Sequence, residues 1–575
     1  MFPTPKPSLK PNTYAYESEP MVKATGFREY DARWLFGSEV NLMGIEALGL
    51  GLGTLIHEAG VEPRIVTGHD FRSYSASIKM ALVNGLMAAG CKVYDIGLAL
   101  TPMAYFAQFD LDVPCVAMVT ASHNDNGWTG VKMGIDRPLT FGPDEMTRLK
   151  DIVLNGRFKT KGGGAYEFVE NFPARYIADL TKRDTIKRHL KVVCACGNGT
   201  AGAFAPQVLQ KIGCEVVPLD CELDHTFPKY NPNTEDLKML HAMRDAVLAS
   251  HADVGLGFDG DGDRCGVVDN EGDEIFADKV GVMLARDIST KHENALFVAD
   301  VKSTGLFMTD PMLIKNGAKT DYWKTGHSYM KRRVNEIGAL AGFEKSGHFF
   351  FNKPFGRGYD DGLIFAFAVC DMLDRNPGKS MADLKNALPK TWSSPTMSPH
   401  CADEVKYTIV DAVVKHFEAA QKQGEKVAGR AVRKFEGRAP LPKVGKGGHA
   451  AHAGHDIHPH ARGLGMMAAK VDGKAGVEVD GIERRDGNLL RLQLVERRLQ
   501  AGEVFRVGEN RQIGIAAKLG RAVKHAGLPA HEKRLHLALA DRGKDFAYRV
   551  RDQGNLLGRD KSAKASRFPA IAGWG

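Results

Sequence analysis

PRIVTGHDFRSYSASIKMALVNGLMAAGCKVYDI, residues 63–96, reads as a strand, a helix and a second strand in immediate succession. Residues 63–68 open a short apolar strand behind a proline. Residues 75–90 carry small and apolar side chains on one helical face, and residues 92–96 form the next strand. This β-α-β rhythm belongs to α/β architecture. It recurs at 191–196 and again at 295–301, the latter running into Lys302-Ser303-Thr304. The turn Gly197-Asn198-Gly199-Thr200-Ala201-Gly202 lacks the spacing of a dinucleotide loop and a placed acidic residue behind it, so it reads as a connection. Three similar mixed α/β units are expected, near residues 1–160, 165–275 and 276–393, with a Lys/Gly-rich joint at 159–164.

Two apolar runs end in loops rich in chemistry. Residues 254–258 read as a strand emptying into Asp259-Gly260-Asp261-Gly262-Asp263-Arg264. Asp-Gly repeats are common in plain turns. Here three carboxylates at spacing two can converge on one point, and oxygen-only ligands on a tight loop suit a hard cation, Mg²⁺ first. An EF-hand is set aside, because Arg264 stands where that loop needs Gly and Asn270 where it needs Glu. The second run, residues 113–119, ends at Thr120-Ala121-Ser122-His123-Asn124. It presents Ser122 at a strand's end, where α/β proteins place ligands. A serine hydroxyl is a weak nucleophile, and a nearby carboxylate and cation would activate it for phosphoryl transfer.

These motifs, with Phe27-Arg28-Glu29-Tyr30-Asp31-Ala32-Arg33, Gly326-His327-Ser328 and Glu344-Lys345-Ser346-Gly347-His348, occur in an order that resembles the alpha-D-phosphohexomutases, most closely their bacterial phosphomannomutase/phosphoglucomutase branch. The resemblance is dense from about residue 25 to about 390. It implies a phosphoserine at Ser122 and a bisphosphorylated hexose that turns over in the cleft, so that phosphate moves between C6 and C1 of mannose or glucose. It implies Mg²⁺ held by Asp259, Asp261 and Asp263 with the Ser122 phosphate, and hexose 1,6-bisphosphate as activator. Arg264 is then expected to stabilise the transferring group, and Lys132, ten residues after Ser122, to serve as general acid/base once burial and nearby cations lower its pKa. Tyr30, Arg33 and His327 match cleft residues, and Glu344, Ser346 and His348 the loop that reads the sugar hydroxyls. Two positions depart from the pattern: Asn124-Asp125-Asn126 replaces Asn-Pro-Pro, and Lys345 stands where Met is frequent.

The bland readings are ordinary ones. Ser122 and Lys132 can be simple loop residues, Arg28 and Arg33 can pair with Glu29 and Asp31 on a surface, and His327 and His348 can be structural.

At 575 residues and 43% hydrophobic content the chain exceeds a single core, so three or four domains are expected. Nine cysteines show no metal-ligand spacing, Cys194 and Cys196 being one residue apart, and scattered thiols fit a reducing, cytoplasmic location. The proline-rich residues 1–20 lack an apolar signal core, and no stretch approaches a membrane span.

The C-terminal part is different. The resemblance leads one to expect a fourth, smaller α+β domain with an Arg-x-Ser-Asn-Thr phosphate loop after residue 393, and no such run occurs. Residues 394–430 read as the start of that domain, with an amphipathic helix from about Asp411. Residues 431–575 hold 28 Lys+Arg against 15 Asp+Glu, whereas residues 1–430 hold 49 against 54, so the basic balance lies entirely in the tail. Three explanations compete: an arm for nucleic acid or an acidic surface, a divergent fourth domain, or out-of-frame sequence. The sudden onset, the fall to six aromatic residues and the missing loop favour the third. No nucleic-acid motif is present, and nucleic acid is not expected as a partner. Five histidines, His449, His452, His455, His458 and His460, lack a thiolate or carboxylate pattern that would fix a metal geometry.

Two functional classes follow. One is a working phosphohexomutase, weakened in binding and turnover if the C-terminal part is genuine, because the substrate's distal phosphate then lacks an anchor. The other is a non-catalytic sugar-phosphate-binding relic with a basic C-terminal arm. Nothing in the chain specifies the oligomeric state.

Overall fold

A computed structural model of the chain describes residues 2–182, 185–391, 405–422, 470–472 and 476–478. Three sheets repeat one plan, parallel strands inside with antiparallel pairing toward an edge.

The first sheet contains β1 (Ala32–Leu35), β2 (Arg64–His69), β3 (Lys92–Leu98), β4 (Cys115–Val119), β5 (Trp128–Gly134) and β6 (Ala165–Phe168), ordered β1-β5-β4-β2-β3-β6. β2 runs parallel to β3 and β4, while β5 is antiparallel to β4 and β1. β4, Cys-Val-Ala-Met-Val, is buried along its whole length, as a strand must be when both faces of its sheet are covered. Helices Leu42–Glu58 and Ser75–Ala88 pack together on one face. Gly85 makes their close approach possible, since a Cβ there would lie 2.0 Å from the Glu46 carbonyl oxygen. β6 follows the Lys/Gly-rich joint and pairs with β3, so the first sheet continues through residue 168.

The second sheet contains β7 (Lys191–Ala195), β8 (Glu215–Leu219), β9 (Val254–Phe258), β10 (Cys265–Asp269) and β11 (Glu274–Ile275), ordered β11-β10-β9-β7-β8. The third contains β12 (Leu296–Asp300), β13 (Lys319–Trp323), β14 (Ala341–Phe343) and β15 (Phe349–Phe351), ordered β13-β12-β14-β15. The turn after β7 winds into a short 3-10 helix, Thr200–Ala203.

One continuous core joins parts of all three units: Tyr105, Phe106, Tyr176, Leu256, Phe297 and Phe343 belong to it. That common core fixes the loops at the carboxyl ends of β4, β9 and β14 relative to one another. A further helix, Lys406–Lys422, starts ahead of the expected Asp411. The remaining expectations for residues 394–430 and most of those for 431–575 lie outside the described residues. Within the second stretch, Lys470–Asp472 pairs antiparallel with Gly476–Glu478. Among the described residues no helix is long and apolar enough to cross a membrane.

Candidate active site

Ser122 begins where β4 ends. Its φ of 52° is a left-handed value that a non-glycine residue adopts only under constraint, and four hydrogen bonds supply it. Ser122 N donates to Thr120 Oγ1 (2.8 Å), Thr120 Oγ1 donates to Asp70 (2.9 Å), and Arg72 Nη2 donates to the carbonyls of Ser122 (3.0 Å) and Asn124 (2.7 Å). The serine is fully buried, and its Oγ donates to Asp259 Oδ2 across 3.0 Å. Gly260 permits that approach, because a Cβ on it would meet the Ser122 carbonyl at 2.4 Å.

Asp259, Asp261 and Asp263 converge because the loop joining β9 to β10 folds into a tight turn, closed by Gly262 N donating to the Asp259 carbonyl (3.1 Å) with Gly262 at a φ of 70°. One oxygen from each lies within 4.8 Å of the others, and all three residues are buried. Burial, then Asp263 and Asp261, push the Asp259 carboxyl up to about 7. Asp261 moves the other way, because Lys132 and a 2.5 Å bond from Thr101 Oγ1 outweigh its burial. Asp261 Oδ1 and Asp263 Oδ1 are buried without a hydrogen-bond partner. Three converging carboxylates with unpartnered oxygens fit a hard divalent cation, which would remove the repulsion now carried by Asp259.

Lys132 reaches into the same cage from β5, 2.7 Å from Asp261 and also paired with Asp263. The expected lowering of its pKa is not what this arrangement produces. Burial pulls the ammonium down, but Asp261 and Asp263 outweigh it and hold Lys132 above its ordinary value. Carboxylates committed to a divalent cation would release that hold.

Arg264 Nε donates to His348 Nε2 (2.9 Å), joining the Asp loop to the β14–β15 turn. His348 Nδ1 lies 2.9 Å from Asp360 and 3.6 Å from Asp263, and the Asp263 charge overcomes burial to raise its pKa. The His327 ring sits between Tyr30 (centroids 4.8 Å apart) and His348 (5.5 Å), and burial holds it well below the usual histidine range. Both His327 ring nitrogens are unpartnered, as are Glu344 Oε2 and Ser346 Oγ. Glu344 is raised by burial. Such a group of buried, unsatisfied polar atoms around one turn is what a polyhydroxylated ligand would satisfy. Arg33 Nη1 donates to the Ala121 carbonyl (3.2 Å) and to Asn124, placing it on the serine loop. Burial raises the neighbouring Tyr30 phenol.

The residues read from the sequence as candidate catalytic, substrate and metal positions lie together around Ser122 and the Asp loop. Four others were not so read. Asp70 and Arg72 organise the serine loop, and they follow β2 just as Ser122 follows β4, so the same strand-end signal applied to them. Lys331 and Asp360 had no local signal. Both are fully buried, with Lys331 Nζ 2.9 Å from Asp360 and 3.9 Å from the centre of the Tyr105 ring.

Fold and site together define a three-unit α/β phosphoryl-transfer protein in which a serine, a carboxylate cage and a buried polar loop meet. Residues 24–160, 174–272 and 276–392 match the alpha/beta/alpha domains I, II and III of phosphoglucomutase/phosphomannomutase. The chain is 34% identical over 391 residues to the phosphomannomutase/phosphoglucomutase of Pseudomonas putida, covering 67% of this chain and 82% of that protein. It is 31% identical over 374 residues to a phosphoglucomutase of Neisseria meningitidis, covering 65% of this chain and 79% of that one. The crystal structure of a phosphoglucomutase/phosphomannomutase family protein from Burkholderia thailandensis superposes with a TM-score of 0.62 at 31% identity, covering 65% of this chain and 82% of that chain. The chain belongs to the phosphoglucomutase/phosphomannomutase family, the alpha-D-phosphohexomutases.

Proposed function

We propose that this chain interconverts hexose 6-phosphate and hexose 1-phosphate, with glucose or mannose as the sugar, through a phosphoserine at Ser122. The observation that carries the reading is the 3.0 Å contact between Ser122 Oγ and a buried cage of three aspartates.

Phosphorylated Ser122 gives its phosphoryl group to the free O1 or O6 of the substrate, forming the 1,6-bisphosphate and a free serine hydroxyl. The bisphosphate turns over and returns its other phosphoryl group to Ser122 Oγ. Mg²⁺ bound by Asp259, Asp261 and Asp263 supplies neutralisation of the charge on the transferring group. Arg264 adds a fixed positive charge beside Asp259, at 3.7 Å. Lys132 Nζ exchanges protons with the reacting hydroxyl once the cage carboxylates no longer hold its proton. Arg33 and Tyr30 line the phosphoserine side. Glu344 and Ser346 accept and donate to the sugar hydroxyls, with His327 and His348 beside them. Hexose 1,6-bisphosphate phosphorylates resting Ser122 and so primes the cycle.

The test is coupled turnover of glucose 1-phosphate and mannose 1-phosphate by the full chain, with Mg²⁺ and a trace of hexose 1,6-bisphosphate. Turnover that Ser122→Ala abolishes is the expected result. A folded protein without turnover on either sugar, or turnover that survives Ser122→Ala, refutes the reading.

A further inference from the structure

Cys194 and Cys196 lie two positions apart, on and just past β7, so strand alternation turns both side chains to the same face. Cys221 follows the end of β8, the parallel neighbour of β7. Backbone bonds from Cys196 N to the Leu219 carbonyl (3.1 Å) and from Asn198 N to the Asp220 carbonyl (2.7 Å) hold the two strand ends side by side. The sulfurs of Cys194 and Cys196 are 3.8 Å apart, those of Cys196 and Cys221 3.5 Å, and all three lie within 4.8 Å of one another. Cys194 and Cys196 are buried, whereas Cys221 is partly exposed.

Buried cysteines often serve as small apolar side chains. Three sulfurs converging on one point from two strand ends are also what a soft cation needs. Metal–sulfur bonds of about 2.3 Å in a tetrahedral site require sulfur–sulfur edges of about 3.8 Å, close to the separations here. Three sulfurs also exceed what a disulfide uses, and their spacing is well beyond its bond of about 2.0 Å.

We propose that Cys194, Cys196 and Cys221 form a binding site for a thiophilic divalent cation of the Zn²⁺ class, with Cys221 as the solvent-side ligand and water in the fourth position. Binding converts three thiols to thiolates and releases three protons to solvent, with no change of oxidation state. The soft sulfur set distinguishes this site from the all-oxygen cage of Asp259, Asp261 and Asp263. Its structural effect is to tie β7 to β8 behind the turn at Gly197, which packs against Pro232; Pro232 in turn backs Gly260 of the Asp loop.

The test titrates reduced, chelator-treated full-length protein with Cd²⁺ under saturating Mg²⁺, following thiolate-to-cadmium charge-transfer absorption, which oxygen and imidazole ligands do not produce. We expect one equivalent bound and competition by Zn²⁺. Cys221→Ser should weaken binding at least about tenfold. Cys214→Ser, whose sulfur lies 3.9 Å from that of Cys370 and outside the cluster, should leave it unchanged. Zn²⁺ should also raise the melting temperature of the parent chain and not that of Cys221→Ser. Absence of the band in the parent chain overturns the proposal. So does a band unaltered in both Cys221→Ser and Cys196→Ser when circular dichroism shows them folded.

Discussion

Asp70→Asn is the substitution that most directly tests how the serine loop is held. Asp70 is fully buried just past β2 and accepts hydrogen bonds from Ser75 Oγ (2.6 Å), Thr120 Oγ1 (2.9 Å) and Ala121 N (3.2 Å). It also pairs with the Arg72 guanidinium, whose side chain is 1% exposed. Asparagine keeps the shape and one acceptor oxygen but leaves the Arg72 charge buried without a counter-charge. Breaking a buried pair from one side costs about 3–5 kcal/mol. Because the units need not unfold together, the readout is hydrogen exchange in β4 and β5, where a loss of ~3 kcal/mol speeds exchange roughly a hundredfold. Turnover should fall about tenfold to a hundredfold, as Arg72 no longer fixes the Ser122 and Asn124 carbonyls. The double variant Asp70→Leu/Arg72→Met removes both charges and should recover much of the protection while turnover stays low. If Asp70→Asn keeps protection within about 1 kcal/mol of the parent and full turnover, the account of the serine loop is wrong.

Ser122→Ala should eliminate phosphoserine detectable by mass spectrometry after incubation with hexose 1,6-bisphosphate, as well as turnover. Removing divalent cations with a chelator should abolish turnover and Mg²⁺ should restore it, whereas Asp261→Asn should need a much higher Mg²⁺ concentration for the same rate. Gly85→Ala should destabilise the first unit by about 1–3 kcal/mol or more, measured by urea unfolding, because the new methyl group meets Glu46 and Leu50 backbone rather than a movable side chain. His327 has a folded pKa well below its unfolded value, so the unfolded state takes up the proton first as pH falls below about 6.5, and stability declines there by up to ~1.4 kcal/mol per pH unit. His327→Phe should flatten that acid limb in unfolding measured between pH 7 and 5, and an unchanged slope would exclude His327 as its source.

How much of this was legible in the chain depends on how far apart the cooperating residues lie. The β-α-β rhythm at 63–96, the apolar run into Asp259-Gly260-Asp261-Gly262-Asp263 and the strand end before Ser122 are local signals, and they indicated the α/β class and the cation-binding and serine loops. Strand periodicity and turn chemistry act over a few residues, so sequence reports them directly. The pairing of Lys331 with Asp360 and the holding of Arg72 by Asp70 depend on which loops the packed core brings together, and only a closed low-dielectric interior makes such pairs consequential. Lys132 shows the difference most clearly. Its spacing from Ser122 marked it, but the tertiary structure decided its charge state, because residues 129 and 131 positions away place two carboxylates on its ammonium. The thiol cluster followed the same rule. Cys194 and Cys196 were separated by a single residue and uninformative, until the parallel pairing of β7 with β8 brought Cys221 beside them.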